Sequence, residues 1–551
     1  MNLSARVWVL LVWLFACGGV ANSFAQVDLP NNPEIDVLHY HFELTISDST
    51  DEIQGLATIQ VEFPIPGIQV FSLDLATPDK GTFKKGMTVT SVMEGPAKRF
   101  FTHEEDRLSI QLAAPAASGN VHTFQISYHG VPADGLIISQ NKYGDRTFFG
   151  DNWPNRAHHW LPSVDHPGDK ATVQFSITAP DRYQVVANGY KVEESSIEPG
   201  LKLHAWKTDV VIPTKVMVFG AAAFAVQELG VHSGVPLSSW VYPQNREAGF
   251  FDYEIAEQVL DFFVGKLGPF PYQKLANVQS TTRYGGMENA SNIFYAEQSV
   301  TGKRISEDLI AHEIAHQWFG NSATEATWDH IWLSEGFATY FTQLYREETY
   351  DREKLVEGME QNRTRIFTQN LMRPVVDSDQ EDPNTLLNVN SYQKGAWVLH
   401  MLRREVGDDV FWLGVKNYYE AYQYGNATTK DFQAIMEAAS GKDLDTFFEQ
   451  WLYRSGWPKL KMTWSYDKSK SKLTLKLSQN QGGTPYIFPL DIDLFASQSI
   501  EPERHTVDVD QKEMEWTWKL KVAPTELRLD PDTWLLAEIL DVVEETSGNN
   551  R

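Results

Sequence analysis

At 551 residues, 42% of them apolar and 12% aromatic, the chain is long enough for roughly three or four domains and apolar enough for large packed cores, which excludes a disordered or fibrous protein. A formal net charge of -26 excludes nucleic acid and anionic membrane surfaces as electrostatic partners, because polyanions are repelled. The single cysteine, Cys17, excludes a disulfide framework.

Residues 1-25 read as an export signal, with Arg6 in a short n-region, an apolar run from Val7 to Ala16, and Ser23-Phe24-Ala25 ahead of Gln26. The run is short for a membrane span, and an uncleaved N-terminal anchor is the competing reading. Leu14-Phe15-Ala16-Cys17 resembles a bacterial lipoprotein box, although Phe15 is bulky for its place. A periplasmic or extracellular protein is expected, either cleaved and soluble or lipidated at Cys17. Cleavage after Ala25 would leave no thiol for nucleophilic catalysis or metal ligation.

Residues 26-230 predict an antiparallel β domain of sandwich or saddle type. Period-two alternation runs through His39 to Ile46 and Leu56 to Phe63, with turn residues at Pro66-Gly67, Asp79-Lys80-Gly81 and Asn188-Gly189. Near residue 250 the period changes. Tyr253 to Val264 places apolar residues at helical spacing, and helical segments are expected to dominate residues 231-456. Alternation returns in Leu473 to Ser478 and Glu515 to Val522, which predicts a C-terminal β-sandwich over 457-543, followed by a polar tail, 544-551. The fold class is multidomain α+β.

The segment that carries chemistry is Leu309-Ile-Ala-His312-Glu313-Ile-Ala-His316. Ser306 is the expected N-cap, Glu307 and Asp308 suit the positive helix end, and Gly320-Asn321 is the expected stop. Histidines at i and i+4 share one helix face, so both imidazoles can reach one metal ion while Glu313 stands beside it without ligating. Trp332-Leu-Ser-Glu335-Gly-Phe-Ala338 reads as the start of a second helix that returns a carboxylate, Glu335, to the same point. Two neutral imidazoles and one carboxylate leave a fourth tetrahedral position open, as catalytic zinc requires. Surface histidines would be the bland explanation, but charged groups on so apolar a helix need a partner.

With these residues the chain resembles the zinc aminopeptidase (gluzincin) family that contains aminopeptidase N, aminopeptidase B and the leukotriene-hydrolysing aminopeptidase. The likeness runs from about residue 35 to 540, and Trp328 to Glu335 is closer to the leukotriene hydrolase branch. Ser334 departs from the asparagine usual there and carries no expected role. The resemblance implies a thermolysin-like, mainly helical catalytic domain over 231-456, one zinc ion per chain on His312, His316 and Glu335, and Glu313 as general base. It further implies a short form without the family's C-terminal helical domain, and hence a more open site.

Arg283-Tyr284-Gly285-Gly286-Met287-Glu288-Asn289 resembles the family's GxMEN signature, in which the loop lies along the substrate backbone and the glutamate holds the free α-ammonium. Glycines permit that close edge-on approach, and a desolvated carboxylate binds a cation far better than an amide. Tyr284 is a candidate wall of the side-chain pocket. Asp151, counted back from Arg156, matches the residue the family takes from its β domain to help grip the amine, although Phe149 stands where a glutamine is usual. Tyr392, in Ser391-Tyr392-Gln-Lys394-Gly395, matches the tyrosine aimed at the tetrahedral intermediate; Lys394 is expected to be structural.

The implied function is removal of single residues from peptides with a free N-terminus. Rival readings are a thermolysin-like endopeptidase, which the Glu288 loop opposes, and a zinc-containing peptide-binding module without catalysis, which the presence of Glu313 opposes. Epoxide hydrolysis lacks its acid, since Asn384 stands at that position. The preferred first residue and the oligomeric state are not legible.

Overall fold

The computed structural model describes residues 32–78, 85–380, 382–497 and 501–545. The export signal, Cys17, the turn at Asp79-Lys80-Gly81 and residues 546–551 of the tail lie outside the described residues. Among the described residues no helix is long and apolar enough to cross a membrane.

The N-terminal part is built on a large twisted sheet. Strand Asp36–Thr45 buries Tyr40, Phe42 and Leu44 while the residues between them face outward, as the alternation required. Its antiparallel neighbour is Ile53–Phe63, but its other neighbour, Lys170–Pro180, runs parallel to it. The expected antiparallel β domain is present, and within it this parallel strand pairing is made by a crossover from a distant segment that no local pattern announces.

The expected boundary at 230/231 falls inside a strand. Ala225–His232 pairs with Val235–Val241 and opens a five-stranded sheet continued by Leu275–Ser280, Asn292–Ala296 and the short edge strand Gly286–Met287. That hairpin ties Ala225–His232 to the second unit. Four of its helices matter below: α1 (Glu307–Ala315), α2 (Trp332–Thr349), α3 (Arg352–Gln369) and α4 (Gly395–Val406). At the C-terminus a four-stranded and a three-stranded sheet are present, with Leu473, Leu475, Leu490 and Ile492 buried.

Buried polar bonds join the units. Lys215 Nζ lies 2.5 Å from Glu325 Oε1, both side chains inaccessible to solvent, with the ammonium over the Trp328 ring. Lys170 Nζ donates to the carbonyls of Ser322 (2.8 Å) and Gly425 (2.7 Å). On the far side His400 of α4 donates from Nε2 to Thr533 O (2.9 Å) and accepts at Nδ1 from the Tyr340 hydroxyl (3.0 Å). Removing one partner of a buried ion pair strands the other charge. Lys215→Met is thus expected to cost about 3–5 kcal/mol in stability, read as a fall in the denaturant midpoint, whereas breaking the exposed pair of Lys354 with Glu357 should leave that midpoint nearly unchanged.

Candidate metal and peptide site

Helix α1 projects His312 and Glu313 into the interior. Ser306 occupies the N-cap position but does not cap; its hydroxyl donates to Ser299 O (2.9 Å), leaving Glu307 and Asp308 as the favourable charges of the first turn. The helix also stops at Ala315, earlier than Gly320-Asn321 suggested. His316 still sits one turn beyond His312 because its N–H donates to His312 O (3.3 Å).

Three ligand atoms converge. The Nε2 atoms of His312 and His316 are 3.1 Å apart, and Glu335 Oε2, from the first turn of α2, lies 3.5 and 3.3 Å from them. Glu335 Oε2 is buried and has no hydrogen-bond partner. Two inward-facing imidazoles and an orphaned carboxylate oxygen are a donor set suited to a dication of borderline softness. Burial opposes charge on His316, but the carboxylate of Glu335, helped by Glu288 and Glu313, outweighs it and lifts its pKa to about 9. Burial opposes the charge on Glu335 too, yet the two imidazoles hold it well below the usual carboxylate range.

His316 is oriented from behind. Its Nδ1 donates toward Phe319 O (3.1 Å) and lies 3.1 Å from Ser334 Oγ, which turns Nε2 inward. Ser334 was given no role from sequence. Its contact depends on the fold of the 316–321 turn, and Gly320 makes room, since a Cβ there would lie 2.2 Å from Ser334 Oγ.

Glu313 stands next to the cluster, 4% exposed. Burial pushes its pKa well above the ordinary value, and Glu288 and Glu335 add to the rise while His316 opposes it. A cavity of about 60 Å³ opens on these groups, walled by Tyr284, Gly286, Met287, Glu288 and Tyr392 among the expected residues, and by Trp153 and Leu387, which sequence reading missed. Nothing in their local sequence marks the last two; they arrive from a β-domain loop and from the turn before Tyr392.

Gly286–Met287 is the outermost strand of its sheet, pairing on one side with Phe294 and Tyr295. Such an edge offers N–H and C=O groups to an extended peptide. Glu288, which follows it, is 5% exposed and its Oε1 has no hydrogen-bond partner. Its backbone carbonyl is clamped by Gln317 Nε2 (2.8 Å) and Asn321 Nδ2 (2.6 Å). Tyr392 sits in a single π-turn, Asn390–Lys394, with its ring stacked 6.0 Å from His312. Burial and the carboxylates of Glu335, Glu288 and Glu313 push its phenol far up, so it remains an O–H donor.

Two expected substrate residues lie elsewhere. Gly285 is exposed, outside the cavity wall and nearest to Leu309. Asp151 does not reach the cavity; its carboxylate is fully buried against Arg156 Nη2 (2.6 Å), Thr282 Oγ1 and Arg283 N (both 3.2 Å). Asp151 thus lies behind the loop with both oxygens hydrogen-bonded, not in the cavity wall where an amine ligand is expected. Lys394, buried, donates to Arg454 O (3.3 Å).

Comparison with known proteins bears on this arrangement. The peptidase M1 N-terminal domain model matches residues 36–216, and the peptidase family M1 domain model matches residues 251–451. Aminopeptidase 2 of Candida albicans is 26% identical over 467 residues, 79% of this chain and 48% of its own length. The mitochondrial aminopeptidase 2 of Saccharomyces cerevisiae is 25% identical over 507 residues, 86% of this chain and 51% of its length. The chain thus spans about half the length of the curated relatives it matches. A crystal structure of Legionella pneumophila aminopeptidase A in complex with aspartic acid shares the fold, with a TM-score of 0.78 at 18% identity, over 92% of this chain and 59% of that one. With the N-terminal and the catalytic models both matched in order along one chain, this protein belongs to peptidase family M1.

Proposed function

We propose that the chain is a zinc-dependent aminopeptidase that hydrolyses the first peptide bond of peptides bearing a free α-amine. The observation that carries this reading is Glu288, a buried carboxylate oxygen without a partner that faces the same cavity as the histidine–glutamate cluster. A buried anion of this kind is costly unless a cation joins it, and the cation a peptide brings is its N-terminus. An endopeptidase would have no use for it.

His312, His316 and Glu335 would hold one Zn2+ per chain, which when bound supplies Lewis-acid polarisation of the scissile carbonyl and of the attacking water. Glu313 takes the proton from that water at its carboxylate and passes it to the leaving amine. Tyr392 donates its phenol proton to the oxyanion. The edge Gly286–Met287 aligns the peptide backbone, Glu288 fixes its end, and Tyr284 and Met287 border the first side chain. Catalytic residues belong to the unit expected over 231-456, and residues 1-25 support export to the periplasm or exterior.

A concrete test uses protein stripped by chelation and then reloaded with Zn2+. Hydrolysis of an aminoacyl fluorogenic amide should vanish and return, and the N-acetylated amide should stay uncut throughout. Cleavage of the acetylated substrate at a similar rate would refute the exopeptidase reading. Tyr392→Phe is expected to lower kcat by about 100-fold, the loss of roughly 3 kcal/mol for one oxyanion donor, with little change in KM.

A further inference from the structure

We infer that Asp151 is a positioning residue that seats the Glu288 loop from the N-terminal domain, and is not a second ligand of the substrate amine; the inference rests on the aminopeptidase reading above. Asp151 follows strand Arg146–Gly150 and is held in place by its own N–H, which donates to Gly135 O (2.7 Å). Its side chain has no exposed surface. One carboxylate oxygen carries the Arg156 guanidinium at 2.6 Å, and the other accepts from Thr282 Oγ1 and Arg283 N, both at 3.2 Å. Its charge is already matched. An ammonium ion would have to displace a buried guanidinium to reach it, at the cost of stranding that guanidinium.

What Asp151 does touch is the front of the loop that ends in Glu288. Arg283 is further fixed by Asp134, with Nη1 3.0 Å from Oδ2, and the Arg156 guanidinium lies 5.7 Å from the centre of the Tyr284 ring. The rear of the loop is pinned separately, where Gln317 and Asn321 hold the Glu288 carbonyl. Edge strand Gly286–Met287 is stretched between the two anchors. Releasing the front anchor frees that strand to shift, and a displacement of about 1 Å at an oriented group costs on the order of 100-fold.

The measured quantity is amine recognition: the ratio of calorimetric Kd values for a non-cleavable dipeptide analogue without its α-amine and for the same analogue with it. A wild-type ratio near one would overturn the aminopeptidase reading and leave Asp151 beside the point. Given a large wild-type ratio, Thr282→Val, which removes a donor to Asp151 remote from the amine, should reduce it about tenfold or more, and Asp151→Asn should do the same. In an Glu288→Gln background, Asp151→Asn should reduce the ratio no further, because both act through one contact. A Thr282→Val ratio equal to wild type would mean that the loop does not depend on Asp151 for its seat, and an Asp151→Asn effect that persists undiminished without the Glu288 charge would mean that Asp151 meets the amine directly. A fall in Tm with the ratio intact would mean that it only stabilises the fold. Either result overturns the inference, and Thr282→Val decides the matter even if Asp151→Asn does not fold.

Discussion

Glu313→Gln is expected to lower kcat for aminoacyl amides by about 100- to 10,000-fold while leaving metal content and peptide affinity close to wild type. Glutamine keeps the shape and so preserves the tight packing against Gly286, where a Cβ would lie 2.2 Å from Glu313 Oε1. It also keeps a hydrogen-bonding oxygen. What it lacks is a carboxylate that can take up a proton and give it back. The three ligand atoms come from His312, His316 and Glu335, so their convergence does not depend on Glu313. Single-turnover kinetics with bound metal measured in the same sample would check the expectation. A kcat within a few-fold of wild type would remove Glu313 from the chemistry.

Glu288→Gln is expected to reduce kcat/KM by about 2–5 kcal/mol, that is by about 30- to 4,000-fold, for substrates with a free amine. In the native protein Oε1 of the carboxylate is buried and finds no protein partner, so on the proposed reading an ammonium would meet a largely desolvated charge. An amide there keeps one weak acceptor and adds a donor that repels the ammonium hydrogens. Preference for the free over the acetylated amine should shrink in parallel, which a loss of folding would not produce. A variant that still ignores acetylated substrate as strongly as wild type would place amine recognition elsewhere.

Much of this site was legible in the chain because the chemistry is local. Histidines one turn apart on a helix, with a glutamate between them, state their geometry by spacing alone, and Glu335 opens the next long helix. The alternation of Asp36–Thr45 stated a half-buried strand just as plainly. The central strands Leu275–Ser280 and Asn292–Ala296 did not declare themselves. Leu275–Ser280 is buried at every position and Asn292–Ala296 at all but its last, so neither shows a period of two, and a short continuous run cannot be told from helix by pattern. Ser334, Trp153 and Leu387 were missed for a different reason: each acts across a turn or a domain junction formed only in three dimensions. Asp151 is the instructive intermediate. Resemblance placed it at the substrate amine, but Arg156 and Thr282, which no local pattern points to, are bonded to its two oxygens.

Gly286 carries no side chain, so the strand's backbone there rests directly against Glu313, and Glu288 follows two residues later, just past the strand's end; on the aminopeptidase reading the interval between the terminal anchor and the proton-handling group is a fixed length of chain. An extended peptide advances about 3.3 Å per residue, so that fixed interval acts as a ruler for the substrate backbone. It counts backbone atoms and is blind to what the first side chain is. A peptide whose first residue carries an additional backbone methylene, as a β-amino acid does, would overrun the mark and present the wrong atom for attack, however well its amine was held.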